Sequence, residues 1–127
     1  MKARDIMTRK VISIHPSASA QEAAQLLYCK RISGLPVVDD LGTIIGIITE
    51  ADIISKVDRE GLSVGDIMCS ELIAVDEETP VNEIASMMTE RHIKRVPVVC
   101  EGKVVGIVSR ADIVHAVAQG HLIIRQW

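Results

Sequence analysis

Nearly every motif in this 127-residue chain occurs twice, about 61 residues apart. Asp5-Ile6-Met7 returns as Asp66-Ile67-Met68, and Leu35-Pro36-Val37-Val38 returns as Val96-Pro97-Val98-Val99. The run from Gly46 to Ile53 (Gly-Ile-Ile-Thr-Glu-Ala-Asp-Ile) returns from Gly106 to Ile113 as Gly-Ile-Val-Ser-Arg-Ala-Asp-Ile. The offset falls from 61 (Asp5 to Asp66) to 60 (Gly46 to Gly106) where Asp40-Leu41-Gly42 becomes Glu101-Gly102. A hairpin turn shortened by one residue gives that slip. Two copies of one unit, residues 1–60 and 61–127, imply two equivalent sites related by an approximate twofold axis.

Composition limits what fills these units. Apolar residues make up 48% of the chain, yet there is no Phe, one Tyr and one Trp. The core is therefore aliphatic. The net charge of −3 is scattered, without the basic face that nucleic-acid binding requires. No apolar run approaches the roughly 18 to 20 residues that span a bilayer, so no membrane partner is expected. The first residues lead into a repeat, not a secretory apolar stretch, which predicts a cytoplasmic protein. Cys29, Cys69 and Cys100 form no CxxC pair, so neither a disulfide framework nor a zinc site is indicated. All three are expected to be buried or half-buried thiols.

Each copy reads as β-α-β-β-α. Val11 to Ile14 and Leu72 to Val75 are short β-rich runs closed by turn residues. A helix follows each, capped by Ser19 with Glu22 in one copy and by Thr79 with Pro80 in the first turn of the other. Apolar residues at Ala20, Ala23, Ala24 and Leu27, and at Val81, Ile84, Ala85 and Met88, have the spacing of one helical stripe. Leu35–Val38 with Thr43–Ile48, and Val96–Val99 with Lys103–Val108, read as hairpins. A last helix opens near Thr49 or Ser109. Ser63 and Asp66 suit a short helix after the polar connection at 57–62. The tail from Leu122 to Trp127 is apolar enough to dock on the body or on a neighbouring chain. A three-stranded sheet with helices on one face leaves the other bare, which predicts α+β copies packed sheet to sheet, with a ligand cleft between them.

No catalytic constellation is visible. Glycine-rich nucleotide loops, His-Glu-x-x-His and nucleophile-base pairs are all missing, and the four histidines lack metal-ligand spacing. The chain therefore reads as a non-enzyme with no required cofactor and no metal site. What persists is a hydroxyl residue at a strand end with a carboxylate three residues on, as Thr49/Asp52 and Ser109/Asp112. The pattern has two readings. As a capping box it satisfies free helix N–H groups. As a ligand site, the hydroxyl and helix start receive an anion and the carboxylate accepts hydrogen bonds from a ribose cis-diol.

Taken together, the Asp-Ile-Met lead-in, Gly34-Leu-Pro-Val-Val-Asp39, the Gly-Ile-Ile-Thr-x-x-Asp hairpin end and their duplication resemble a tandem pair of CBS domains. The resemblance implies a regulatory module that binds adenosine-containing ligands (AMP, ADP, ATP or S-adenosylmethionine), with AMP favoured. It also implies two sites. The first combines Thr49 and Asp52 with Lys94 and Arg95 and has Ile47, Leu72 and Ile73 as its adenine slot. The second combines Ser109, Arg110 and Asp112 with Ser33 and Gly34 and has Val11, Ile12 and Ile107 as its slot. Lys94 and Arg95 would neutralise phosphate, although a solvated strand end is an equal reading of that pair. Glu50, at the position of Arg110, is expected to point to solvent. The implied partners are a second copy of the chain and an effector protein. The alternative is a ligand-independent dimerisation module, driven by helix faces such as those carrying Leu27 and Met88.

Overall fold

The computed structural model describes residues 1–122. It is a mixed α/β chain in the order α1 (Ala3–Ile6), α2 (Ala20–Lys30), β1 (Gly34–Val38), β2 (Ile44–Thr49), α3 (Glu50–Ile54), α4 (Val64–Ile67), α5 (Val81–Arg91), β3 (Arg95–Cys100), β4 (Lys103–Ser109) and α6 (Arg110–Ala118). Two antiparallel hairpins, β1-β2 and β3-β4, form the sheets. The predicted docking of the tail falls on residues outside the described ones beyond Leu122.

Packing divides the chain differently from its repeats. One compact unit is Ile12–Leu72; the other joins Met1–Val11 to the chain from Ile73 onward. Each lead-in helix thus packs on the hairpin of the other copy. In the first-hairpin unit, Val64 and Ile67 of α4 join Leu27, Leu35, Val37 and Ile48 in the core. In the second-hairpin unit, Ala3 and Met7 join Ile84, Met88, Val96, Val98 and Val108. Hydrogen bonds fix the exchange. Ala20 N–H donates to Leu62 O (2.9 Å) and Val64 N–H to Ala18 O (2.8 Å), and in the other unit Val81 N–H donates to Met1 O (3.0 Å) and Ala3 N–H to Thr79 O (2.8 Å). Helix N-termini leave backbone donors without intrahelical partners, and the lead-in carbonyls accept two of them.

The helical stripes fold as read, with Ala23, Leu27, Val81, Ile84 and Met88 buried. Leu27 and Met88 are therefore core residues, and the expectation that their faces drive dimerisation is corrected. The large apolar side chains left exposed are others, including Ile54 (69%) on α3 and Val114 (66%) at the matching position of α6. Ser19 caps α2 by accepting from Glu22 N–H (3.0 Å). Thr79 does not cap α5: Pro80 is the N-cap, and Thr79 Oγ1 turns back to accept from Asp76 N–H (3.2 Å).

The β-rich runs 11–14 and 72–75 are not strands. Each makes one parallel bridge, Ile14 to Val37 and Val75 to Val98. Ile14 N–H donates to Pro36 O (3.0 Å) and Ile14 O accepts from Val38 N–H (2.9 Å). The next rung toward the N-terminus would need an N–H from Pro36, or from Pro97 in the other unit, and proline has none. The hairpins themselves follow the sequence. Thr43 and Leu41 N–H both reach Asp39 Oδ1 at 2.9 Å in the longer turn. Glu101 and Gly102, with φ of 52° and 81°, make the shorter one, the left-handed pair that a two-residue hairpin turn demands.

The three cysteines are exposed rather than buried. Cys29 lies off the apolar stripe of α2, Cys69 follows the end of α4, and Cys100 is the last residue of β3. No helix among the described residues is long and apolar enough to cross a membrane.

Candidate functional site

Thr49 ends β2 in extended backbone and is the N-cap of α3. Its N–H and Oγ1 both donate to Asp52 Oδ2, at 2.8 and 3.0 Å, and its Oγ1 accepts from Asp52 N–H at 3.4 Å. Ser109 and Asp112 repeat this at the start of α6, at 2.8, 3.0 and 3.2 Å. Both carboxylates are half-buried. The capping reading of the motif therefore holds in the structure. It does not by itself identify a site, because Ser63 and Asp66 form the same box at α4 (2.8 and 3.2 Å). There the backbone bond from Ser63, with its hydroxyl second, holds the Asp66 carboxyl below the usual range.

What separates Asp52 and Asp112 from Asp66 is the company the fold gives them. In the first-hairpin unit, Gly34 pairs with Thr49 across the hairpin, and Glu50 N–H donates to Ser33 O at 3.0 Å. On the opposite edge of β2, Ile47 exchanges two backbone hydrogen bonds with Cys69, at 2.8 and 2.9 Å. In the second-hairpin unit, Arg95 pairs with Ser109, and Arg110 N–H donates to Lys94 O at 3.0 Å. Ile107 exchanges two backbone bonds with Thr8, at 2.8 and 3.0 Å. Three chain segments thus converge on each acidic helix start: the end of a hairpin, the beginning of its first strand, and an exchanged lead-in. Each is a candidate half-site, with a half-buried isoleucine (Ile47 or Ile107) and a half-buried aspartate.

The lead-in crosses the hairpin closely because a glycine lies beneath it. A methyl group on Gly46 would stand 2.8 Å from Cys69 O and 2.7 Å from Met68 Sδ, and one on Gly106 would stand 2.5 Å from Met7 Sδ. Sequence reading placed neither Thr8 nor Cys69 among the site residues. Both follow the Asp-Ile-Met motif directly, but only the exchange of lead-ins brings them to these half-sites. Thr8 Oγ1 also donates to Asp112 Oδ1 at 3.3 Å.

The predicted site residues divide between the units. Ile47, Thr49, Asp52 and Leu72 of the first set lie in the first-hairpin unit with Ile12, Ser33 and Gly34 of the second. Ile73, Lys94 and Arg95 of the first set lie in the other unit with Val11, Ile107, Ser109, Arg110 and Asp112. Glu50 is exposed, as expected, and so are Lys94 and Arg110; Arg95 and Ser33 are half-buried. The five-residue α3 is too short to supply much helix-end charge, so a phosphate would depend on cationic side chains. An open depression of 440 Å³ in the second-hairpin unit is lined by Ala74, Val75, Asp76, Thr79, Glu83, Met87 and Val99. It contains none of the predicted site residues, so concavity alone does not point to these half-sites. Among the described residues no group of three His, Cys, Asp or Glu side chains could hold a metal ion.

The CBS domain family model matches residues 3–59 and again 64–119. Over 111 residues the chain is 37% identical to an L-aspartate semialdehyde sulfurtransferase of Methanocaldococcus jannaschii, spanning 87% of this chain but only 22% of that protein. The crystal structure of the CBS domain pair of protein MJ0100, in complex with 5′-methylthioadenosine and S-adenosyl-L-methionine, superposes with a TM-score of 0.87. It is 34% identical and covers 94% of this chain and 98% of that one. The structure of CBSX2 in complex with AMP superposes with a TM-score of 0.88 at 29% identity, covering 95% and 98%.

Proposed function

Since the chain belongs to the CBS domain family, we propose that it is a regulatory module, not an enzyme, that binds an adenosine-containing ligand at its two acidic helix starts. In this reading Asp52 and Asp112 accept hydrogen bonds from a ribose diol, Thr49 and Ser109 fix those carboxylates, and Ile47 and Ile107 contact the purine. Leu72, Ile73, Val11 and Ile12, the four residues at the junctions between units, contribute apolar surface to the base. Lys94 and Arg95 serve phosphate, with Arg110 assisting, while Ser33 and Gly34 offer neutral groups. The supporting observation is the duplicated meeting of hairpin end, strand start and lead-in at Asp52 and Asp112, which Asp66 lacks despite an identical cap. The adenosyl ligands named in the solved relatives support the ligand class, and AMP is the favoured member. Occupancy would be passed to an effector protein. A homodimer would use the matching exposed positions Ile54 and Val114, where burying an aliphatic side chain stabilises by about 1.5–3 kcal/mol.

Titration calorimetry with AMP, ADP, ATP and S-adenosylmethionine tests the proposal. Micromolar binding of at least one is expected. Silence toward all four, with a dimer that forms regardless, would leave a purely structural module.

A further inference from the structure

The two half-sites differ in how many acceptor positions their carboxylates keep free. An ionised carboxylate offers about four lone-pair positions, two on each oxygen. Asp52 Oδ2 takes two donors, the N–H and Oγ1 of Thr49, which leaves Oδ1 to receive both hydroxyls of a diol. Asp112 Oδ2 is filled in the same way by Ser109, but Asp112 Oδ1 already accepts from Thr8 Oγ1 at 3.3 Å. Only one position remains there, and the Thr8 hydroxyl oxygen, bonded to Asp112 Oδ1, offers an acceptor beside it.

The difference comes from one residue in a shared register. Thr8 and Cys69 each exchange a pair of backbone hydrogen bonds with the isoleucine five residues before the aspartate, Ile107 or Ile47. Cys69 Sγ lies 4.0 Å from Glu71 O and makes no bond to Asp52. A thiol is also a weak donor and acceptor, so it cannot replace a hydroxyl in a polar triad.

We propose that Thr8 is a ligand-contacting, specificity-determining residue of the Asp112 half-site: one sugar hydroxyl goes to Asp112 Oδ1 and its neighbour to Thr8 Oγ1. At the Asp52 half-site the carboxylate alone takes the diol and Cys69 takes no part. The proposal rests on the adenosine-binding reading and adds to it a chemical difference between the two half-sites. It makes the pair unequal toward sugars that lack one hydroxyl.

The test is calorimetric titration of the full chain in an Asp52→Ala background, which reports the Asp112 half-site, using AMP, 2′-deoxy-AMP and 3′-deoxy-AMP. Thr8→Val should weaken AMP about three- to tenfold, as loss of one neutral hydrogen bond gives. It should leave one of the deoxy analogues unaffected, because that analogue already lacks the partner hydroxyl. Thr8→Ser should restore AMP binding. In an Asp112→Ala background, Cys69→Thr should create the same coupling at the other half-site, and this arm decides the matter if Thr8→Val lowers the melting temperature. Equal or tighter AMP binding by Thr8→Val, or equal losses for all three ligands, overturns the proposal while the adenosine-binding reading stands. An unsubstituted protein that binds no adenosine compound overturns that reading itself, and this proposal with it.

Discussion

Asp52 closes a helix cap and, in the proposed function, also holds a ligand, and one substitution can separate the two roles. Its Oδ2 closes the cap of α3, so Asp52→Ala should cost about 0.5–2 kcal/mol of stability whether or not a ligand binds. Asp52→Asn keeps a side-chain oxygen for the Thr49 donors and removes the charge that a diol prefers. It should keep a melting temperature near that of the parent and lose AMP affinity about tenfold or more, the scale of one charge-assisted bond. Asp66→Ala is the matched control, with an equal loss of cap stability and no loss of affinity. A calorimetric comparison of the three variants would fail the ligand reading if Asp52→Asn bound as tightly as the parent. At this scale the sequence was readable where chemistry is local: hydroxyl-x-x-Asp predicts its own cap from spacing alone. It placed neither Thr8 nor Cys69 beside these helix starts, because their contacts depend on residues about 100 and 22 positions away.

A second residue-level effect concerns pH. Glu78 accepts from Lys2 Nζ (2.5 Å) and is paired with Arg4 as well, on the lead-in helix α1. The Lys2 hydrogen bond first, and the positive charges of Arg4 and Lys2 after it, hold its carboxyl below the usual glutamate range. A lowered native pKa contributes stability above the unfolded value, near pH 4.3, and loses it as pH falls through the native value. Thermal melts between pH 7 and pH 3 should therefore fall less steeply for Glu78→Gln than for the parent. The effect should be small, because the pair is solvated and screened.

The elements depend on glycine and proline positions whose meaning appears only in three dimensions. Gly46 and Gly106 lie inside the hairpin strands β2 and β4, and their role there is to let a lead-in pass. At Gly46 the obstacle to a methyl group is a backbone carbonyl, Cys69 O at 2.8 Å, together with Met68 Sδ. At Gly106 the three nearest atoms all belong to Met7, with Sδ at 2.5 Å, Cγ at 2.8 Å and Cβ at 3.1 Å. Met7 is a buried core residue and the clash reaches its Cγ and Cβ, next to the backbone, so it yields no more readily than the paired carbonyl. Gly46→Ala and Gly106→Ala should therefore each destabilise by about 1–3 kcal/mol, as denaturant titration would measure. Gly46→Ala should also weaken ligand binding at the Asp52 half-site, since it displaces the rung that holds Cys69 to Ile47. The prolines act in the opposite direction. Val11–Ile14 and Leu72–Val75 have strand composition, but Pro36 and Pro97 on the facing strands cannot donate the rungs that would make strands of them.

The duplication itself was plain in the sequence, and with it the two hairpins, the longer helices and the two acidic helix starts, though not the lead-in helix α1. Which lead-in packs on which hairpin was not. Repeats of one pattern align equally well whether each segment packs on its own copy or on its sibling, so similarity carries no information about exchange. The contacts decide it. Residues 1–60 lack Val64 and Ile67, which complete the first-hairpin core, and lack Leu62 O, which accepts from Ala20 N–H. They retain Ala3 and Met7, which belong to the other core. Residues 12–72 contain every member of one buried cluster. A segment of that size buries a modest share of its surface and is marginal alone, so the difference between the two fragments should be large in effect. The fragment 12–72 should retain slowly exchanging amides at Ile47, Ile48 and Val37, whereas 1–60 should exchange as an unfolded chain. Equal protection in the two fragments would mean that the exchanged lead-in contributes little to folding, and that the packing boundary at Val11/Ile12 carries no energetic weight.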